Sequence, residues 1–407
     1  MSAPRRPDSL ATLRFFATAA KGLEPVVADE LRALGAGNVK EARGGVSFEG
    51  PPAMAYRARL WLRAANRVLY PVSKFKAADD ASLYAGIQRM PWENDLSPDG
   101  TLAVDFTGTA PGITHTQYGA QRVKDAVVDR FREKFGHRPS VDRERPDVRI
   151  NCHLHRDIAS VSLDLSGDSL HLRGYRRASV AAPLKENLAA ALLLKCGWLE
   201  IAKAGGSFVD PLSGSGTLVI EAALMAGDIA PGLLRNYWGF SGWLKHDRRL
   251  WEKLIMEARA RQTAGRARKL MILGYDRDAK AILTAQQNAR TAGIAPTVRF
   301  EHKSLEHNTL PSGLPPGLVV TNPPYGERLG KVETLGPLYA TLGNWLKTQC
   351  PGWQAGVIVG DLGLGKQLGI RARKMNSFYN GALECKLLQF SIEPEWFMRG
   401  GAAETPE

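Results

Sequence analysis

The sequence predicts an α/β protein whose C-terminal half is a Rossmann-like, doubly wound sheet behind a smaller α/β front half. Three observations predict it. From about Leu184 onward, apolar strands alternate with long helices. A glycine-rich turn, Asp210 to Thr217, stands between one such strand and its helix. An Asn380-Gly381 pair between two apolar runs signals a hairpin that closes the sheet.

Leu13 to Ala17 suits a strand. Leu23, Val26, Val27, Leu31 and Leu34 then recur at helical spacing up to Gly35 and Gly37. Val46-Ser47-Phe48 alternates like a strand, and a helix is expected from Tyr56 to Leu69. Strands are expected at Leu102–Phe106, Val148–Asn151 and Ile158–Leu165. Between them Val123, Val127, Phe131 and Phe135 form one apolar helix stripe. Arg122, Lys124, Arg130, Arg132 and Lys134 line the same helix. Two readings stay open for these cations, a solvated face or an RNA-facing one.

A basic connection, His171 to Arg177, leads into the back half. A helix is expected from Leu184 to Ala202, with Pro183 at its first turn. Phe208-Val209 is a strand, and Thr217–Ala226 a helix ended by Gly227. After a long insert, Asp228 to Lys269, a strand at Met271–Leu273 precedes a helix from Asp278 to Ala292. Further strands are expected at Thr297–Phe300, Leu318–Val320 and Val357–Val359, with a helix around Leu338–Leu346. Ser377–Tyr379 and Leu383–Ile392 flank the hairpin turn. A parallel sheet closed by a hairpin is the outline of a class I methyltransferase rather than a dehydrogenase.

Composition narrows the partners. With 407 residues, more than one core is expected. Lys plus Arg number 54 against 41 for Asp plus Glu, so 54 − 41 = +13, which favours a polyanionic partner such as nucleic acid over cationic metabolites. Cys152, Cys196, Cys350 and Cys385 are scattered, without the spacing of a zinc site or a disulfide scaffold. No metal site and a cytoplasmic location are therefore expected. No apolar run reaches membrane-spanning length. Arg5-Arg6 echoes a twin-arginine start, but Arg14 and Lys21 interrupt the apolar run, so no export leader is expected.

Three motifs carry chemistry. In Asp210-Pro211-Leu212-Ser213-Gly214-Ser215-Gly216-Thr217 the glycines let backbone approach a ligand, and the following helix offers free N–H groups. It lacks the dinucleotide fingerprint and the P-loop lysine, which leaves a nucleotide-like cofactor or a plain tight turn. Asp276 ends the next strand. It can accept both hydroxyls of a ribose or cap a helix. The third motif is Asn322-Pro323-Pro324-Tyr325-Gly326, at the end of the strand Leu318–Val320. The prolines fix the backbone and offer only carbonyls, the Asn amide oxygen accepts an N–H, and Tyr325 offers a flat face. That set suits a planar exocyclic amine, whose lone pair is spread into its ring. Acceptors aimed at the N–H groups favour the form it takes as a methyl group arrives.

Asp210–Glu221 (DPLSGSGTLVIE) with Asn322–Gly330 (NPPYGERLG) resembles the THUMP-containing RNA guanine-N2 methyltransferases. Leu163–Arg176 (LDLSGDSLHLRGYR), Trp238–Trp243 (WGFSGW) and Gln117–Asp125 (QYGAQRVKD) resemble the RlmL-type bacterial 23S rRNA guanine-N2 methyltransferases. The resemblance runs from about Phe15 to Ile392. It implies a ferredoxin-like segment over 1–70, a THUMP RNA-binding domain over 71–166, a linker over 167–182 and a class I methyltransferase domain over 183–397, with a disordered tail over 398–407. The cofactor implied is S-adenosylmethionine. Asp210, Pro211, Ser213, Gly214, Gly216 and Thr217 would meet its methionine and ribose side, and Asp276 its ribose. Asn322, Pro323, Pro324 and Tyr325 would present the target base.

Three departures stand out. Ser213 replaces the family's usual Cys. Ser304 replaces an Asp that takes the adenine amine; a hydroxyl still accepts there, without charge, so weaker cofactor binding is expected. The RlmL-type half is often fused to a second, RlmK-type methyltransferase, and none is expected in a chain ending at Glu407. The implied substrate is a guanine of 23S rRNA or of a large-subunit assembly intermediate. Rivals are a tRNA guanine-N2 methyltransferase, a DNA adenine-N6 methyltransferase, and a noncatalytic assembly factor, which Ser304 favours. Oligomeric state stays open.

Overall fold

A computed structural model describes residues 11–176, 184–325 and 332–398. They form two compact units, one of residues 11–19, 27–170 and 235–257 and one of 20–26, 171–234 and 258–398.

In chain order the first elements are β1 (Leu13–Thr18), α1 (Glu24–Ala33), β2 (Gly37–Ala42), β3 (Gly45–Gly50), α2 (Pro52–Trp61), β4 (Arg67–Lys76), α3 (Asp80–Gln88), β5 (Thr101–Gly108), α4 (Thr116–Phe135), β6 (Ser140–Val141), β7 (Val148–His155) and β8 (Ile158–Asp164). Their strands make one sheet in the order β2-β3-β1-β4-β8-β7-β5-β6. The helix expected over Tyr56–Leu69 is corrected. Leu62 leaves α2 with extended backbone (ψ 122°), and Val68 and Leu69 pair with β1. Short apolar runs do not tell helix from strand, and sheet pairing decides here. Pro71 is tolerated because the β4–β8 register shifts between Pro71 and Ser73. The unforeseen α3 starts at a capping box, in which the Asp79 side chain accepts from Ser82 N–H at 2.8 Å.

The stripe on α4 is as expected, with Val123, Val127 and Phe131 buried. Its cations lie beside acids. Arg122 pairs with Asp80 (3.1 Å), Arg130 with Glu93 (2.7 Å) and Arg132 with Asp129 (3.0 Å). Lys134 shares Glu93, and Lys124 meets Asp125. These pairs reach solvent and each contributes little, so they do not separate a solvated face from an RNA-facing one.

Residues 235–257 pack with the front strands, although they lie between elements of the second unit in sequence. The WGFSGW stretch explains why. Trp243 donates its indole N–H to Asp95 at 2.7 Å, and the Tyr237 hydroxyl donates to the Pro146 carbonyl at 2.7 Å. The Phe240 ring lies 4.7 Å from Tyr56 and 5.0 Å from Trp251. Aromatic burial, with the polar tips of Trp243 and Tyr237 hydrogen-bonded, anchors the strap.

The second unit holds α5 (Glu186–Lys195), α6 (Trp198–Lys203), β9 (Phe208–Asp210), α7 (Thr217–Ala226), the end of α8 (Arg248–Gly265), β10 (Ile272–Asp276), α9 (Ala279–Thr291), β11 (Arg299–His302), β12 (Leu318–Thr321), α10 (Val332–Gln349), β13 (Gln354–Val359), α11 (Leu362–Lys366), β14 (Lys374–Asn380) and β15 (Leu383–Ser391). The sheet order is β11-β10-β9-β12-β13-β15-β14. Strands β9 to β13 run parallel, and β15 and β14 are antiparallel. The single helix expected over Leu184–Ala202 is two, because Gly197 turns left-handed (φ 76°) after Cys196. The hairpin is as expected, although Asn380 pairs with Leu383, so its loop is Gly381-Ala382. Pro183, Arg5-Arg6, Gly326–Gly330 and 399–407 lie outside the described residues.

Candidate active site

Strand order reverses between β9 and β12, and ligands of open α/β sheets bind beyond the carboxyl ends of strands at such a point. Asp210 ends β9 and Asn322 follows β12. Val209 pairs with Val319, so both motifs rise from neighbouring strands at one sheet edge, about 5 Å apart at strand spacing. Asp276 ends β10 on the other side of β9, where Gly274 pairs with Asp210. Ser304 follows β11, whose His302 pairs with Asp276. All four strand ends therefore share one rim.

The glycine loop is held from both flanks. Ser213 N–H donates to the Tyr275 carbonyl at 2.7 Å, and Asn288, buried on α9, donates to the Ser215 carbonyl at 3.1 Å. Gly214 (φ 52°) and Gly216 (φ 83°) are left-handed. At Gly216 a side chain would meet Phe300 and Ala285 within 3 Å, whereas at Gly214 it would meet nothing within 4 Å. The loop therefore packs tightly on one side and opens to space on the other. Gly216 is the N-cap of α7 and supplies no side-chain cap. The helix keeps its N-terminal donors for a ligand.

Asp276 is not the cap of α9; Asp278 is, its side chain accepting from Lys280 N–H at 2.8 Å. Asp276 instead accepts from Gly214 N–H (2.8 Å) on one oxygen and from Asp278 N–H (2.9 Å) on the other. Each oxygen keeps a second acceptor position, so the carboxylate can still take two hydroxyls. Thr217 receives a hydrogen bond from Arg176 (3.0 Å), which also pairs with Glu186 at 3.1 Å. The Ser304 hydroxyl lies 2.9 Å from His307 Nδ1.

Asp210 is 1% exposed, and burial raises its carboxyl to about 7. Below roughly pH 4 the folded and unfolded chains both hold this proton. Between there and about 7 only the folded chain does, so its stability falls as pH rises and levels off once Asp210 ionises. Asp210→Asn should flatten this part of the melting-temperature profile. Parallel wild-type and variant curves would disprove the assignment.

After β12, Asn322 carries a side-chain oxygen that is buried and has no hydrogen-bond partner among the described residues. A buried acceptor left unpaired costs about 1–3 kcal/mol, so it is kept where a ligand completes it. Pro323 is buried and Pro324 half-buried. The Pro324 carbonyl is engaged, because the Tyr339 hydroxyl donates to it at 3.4 Å. Of the proline carbonyls expected to face a base, that one is tied to the protein. Burial holds the Tyr325 hydroxyl well above the usual phenol range. Sequence reading missed Asn288, Arg176, Tyr339 and Asn380, the last of which donates to Tyr325. Nothing in their own patterns marks them.

A separate cavity of about 190 Å³ lies toward the start of β10, the sheet edge opposite the glycine loop. Arg266 and Arg268 there donate to the carbonyls of Gly293 and Ala226 at 3.3 Å, at the C-terminal ends of α9 and α7. This is helix capping. Among the described residues no group of three His, Cys, Asp or Glu could hold a metal ion, and no helix is long and apolar enough to cross a membrane.

Comparison with known proteins places this geometry. The family model described as RMKL-like, methyltransferase domain matches residues 173–389. The chain belongs to this family. The RlmL ferredoxin-like domain matches residues 14–69 and the THUMP domain residues 77–164. The ribosomal RNA large subunit methyltransferase K/L of Syntrophotalea carbinolica is 55% identical over 398 residues, 97% of this chain and 56% of that protein. That of Methylococcus capsulatus is 53% identical over 97% of this chain and 53% of that protein. The chain thus spans about half the length of the curated relatives it matches. Among solved structures, the candidate methyltransferase SMU.472, complexed with SAH, is 31% identical with a TM-score of 0.83 over 96% of this chain and 99% of that one. A Listeria monocytogenes protein described as a predicted N6-adenine-specific DNA methylase is 32% identical, TM-score 0.81, over 93% and 96%. The fold is that of an S-adenosylmethionine-dependent methyltransferase with ferredoxin-like and THUMP domains. The open side of Gly214, the uncapped start of α7 and the buried Ser213 hydroxyl, which has no partner among the described residues, fit that cofactor.

Proposed function

We propose that this chain transfers a methyl group from S-adenosylmethionine to the exocyclic N2 of a guanine in 23S rRNA, as free RNA or in a large-subunit assembly intermediate. The observation that carries the reading is the unpartnered Asn322 oxygen at the strand end next to the glycine loop. The relatives' names as large-subunit rRNA methyltransferases and the THUMP match support the RNA class.

S-adenosylmethionine supplies an electrophilic methyl group on a sulfonium. Asp210, Pro211, Ser213, Gly214, Gly216 and Thr217 would line its seat, Asp276 would take its ribose hydroxyls, and Ser304 would meet its adenine end. Asn322 Oδ1 and the Pro323 carbonyl accept the two N–H bonds of the guanine amine. These contacts would strengthen as the nitrogen gains positive character, so they would lower the barrier without a base in the transfer step; the C–S bond breaks to leave a neutral thioether, and the methylated nitrogen then gives its extra proton to water. Tyr325 receives the flipped base on its ring.

The test is direct. Incubating the protein with labelled cofactor and unmodified 23S rRNA, then digesting the RNA, should yield N2-methylguanosine. Label in N6-methyladenine, or label competed away by tRNA rather than rRNA, would move the assignment to another substrate. Binding to RNA should weaken linearly in log affinity against log salt as counterions are released. A flat response in filter binding would contradict a phosphate-reading surface.

A further inference from the structure

The loop bearing Tyr325 is braced by a residue outside it. Asn380 ends β14 and is fixed by ladder pairing with Leu383 across the hairpin. Its amide Nδ2 donates to the Tyr325 hydroxyl at 3.2 Å. The Cys385 thiol flanks the same hydroxyl. Behind the ring lies Gly360, where an added Cβ would sit 2.8 Å from Tyr325 Cδ2. Backbone packs against one part of the ring, and a hydrogen bond holds its tip.

We propose that Asn380 is the positioning residue for Tyr325, and that the hairpin sets the orientation of the surface on which the target base stacks. The claim rests on the base-stacking role assigned above. A tyrosine with a free hydroxyl turns about its side-chain bonds and must be ordered each time a base arrives. A ring pinned at its tip has that ordering in place before the base arrives. Burial keeps the hydroxyl proton on Tyr325, while the donated N–H by itself favours the phenolate. Asn380 acts through Tyr325 and needs no contact with the cofactor.

The experiment is a double-mutant cycle on the full chain with Asn380→Ala and Tyr325→Phe. Turnover should fall up to about tenfold in each single variant, the scale of one net hydrogen bond. The double variant should fall no further than the lower single one, with S-adenosylmethionine affinity by calorimetry unchanged throughout. Losses that multiply in the double variant would overturn the proposal. Fluorotyrosine at 325 gives a readout that needs no substrate. Its 19F resonance should be shifted from the free amino acid in the wild type, and should move toward it and sharpen in Asn380→Ala. An unmoved resonance overturns the proposal even if turnover falls. If the wild type makes no N2-methylguanosine, the substrate assignment fails, and the 19F result still decides whether Asn380 positions Tyr325.

Discussion

Replacing Asn322 with Ala should lower methyl transfer by about 10²–10³-fold, the cost of deleting one preorganised electrostatic partner of a transition state. The substitution deletes a buried side-chain acceptor that has no partner among the described residues. That atom is poised for something other than folding, and its loss removes no hydrogen bond the fold uses. The cofactor seat lies on other strand ends, so S-adenosylmethionine should bind the variant within a few-fold of wild type. Single-turnover kinetics with calorimetry separates the two quantities. If affinity and turnover collapse together, Asn322 is holding the site together rather than serving the amine. Asn322→Asp keeps an acceptor of the same size and should recover part of the rate.

The second large effect is on stability. Glu221 lies on α7, 0% exposed, and accepts from Arg173 (3.3 and 3.4 Å) and from the Tyr175 hydroxyl (3.3 Å). Arg173 is itself 1% exposed. Glu221→Leu removes the carboxylate that faces a buried guanidinium, which costs about 3–5 kcal/mol. In a chain of this size that is a fall of roughly 5 °C in melting temperature. Converting the triad together, Glu221→Leu with Arg173→Met and Tyr175→Phe, should restore most of the loss, because apolar replacements leave no charge to desolvate. A single variant that melts like the wild type would show that water reaches Arg173 and that the pair is not a structural clamp.

This triad also bears on how arginines read in sequence. The run from His171 to Arg177 looked like a basic connection, one more contribution to a net +13. Arg173 is instead buried against Glu221, and Arg176 bridges Glu186, the Leu184 carbonyl and Thr217. The cations of α4 are paired likewise. A charge count cannot tell a free cation from one neutralised 48 residues away.

The motif positions were legible because strand-end loops are local. A short apolar strand, a left-handed glycine turn and a helix start within a few residues of each other, as do an apolar strand and its two prolines. Backbone sterics alone put Asp210, Asp276 and Asn322 at strand ends. The braces were not legible. Asn380 meets Tyr325 across 55 residues and Asn288 meets Ser215 across 73. Neither carries a pattern that predicts its partner.

Local pattern by itself determined the doubly wound back half, the hairpin that closes it and the strand-end seat of each motif, because hydrophobic period and turn chemistry act over a few residues. Only the tertiary structure decided that Val68 and Leu69 join a sheet rather than a helix, and that residues 235–257 pack with the front unit. It alone decided which cations are already spent on carboxylates. Each of these depends on which distant side chain fills the neighbouring space, and that choice is made by packing across the chain rather than along it.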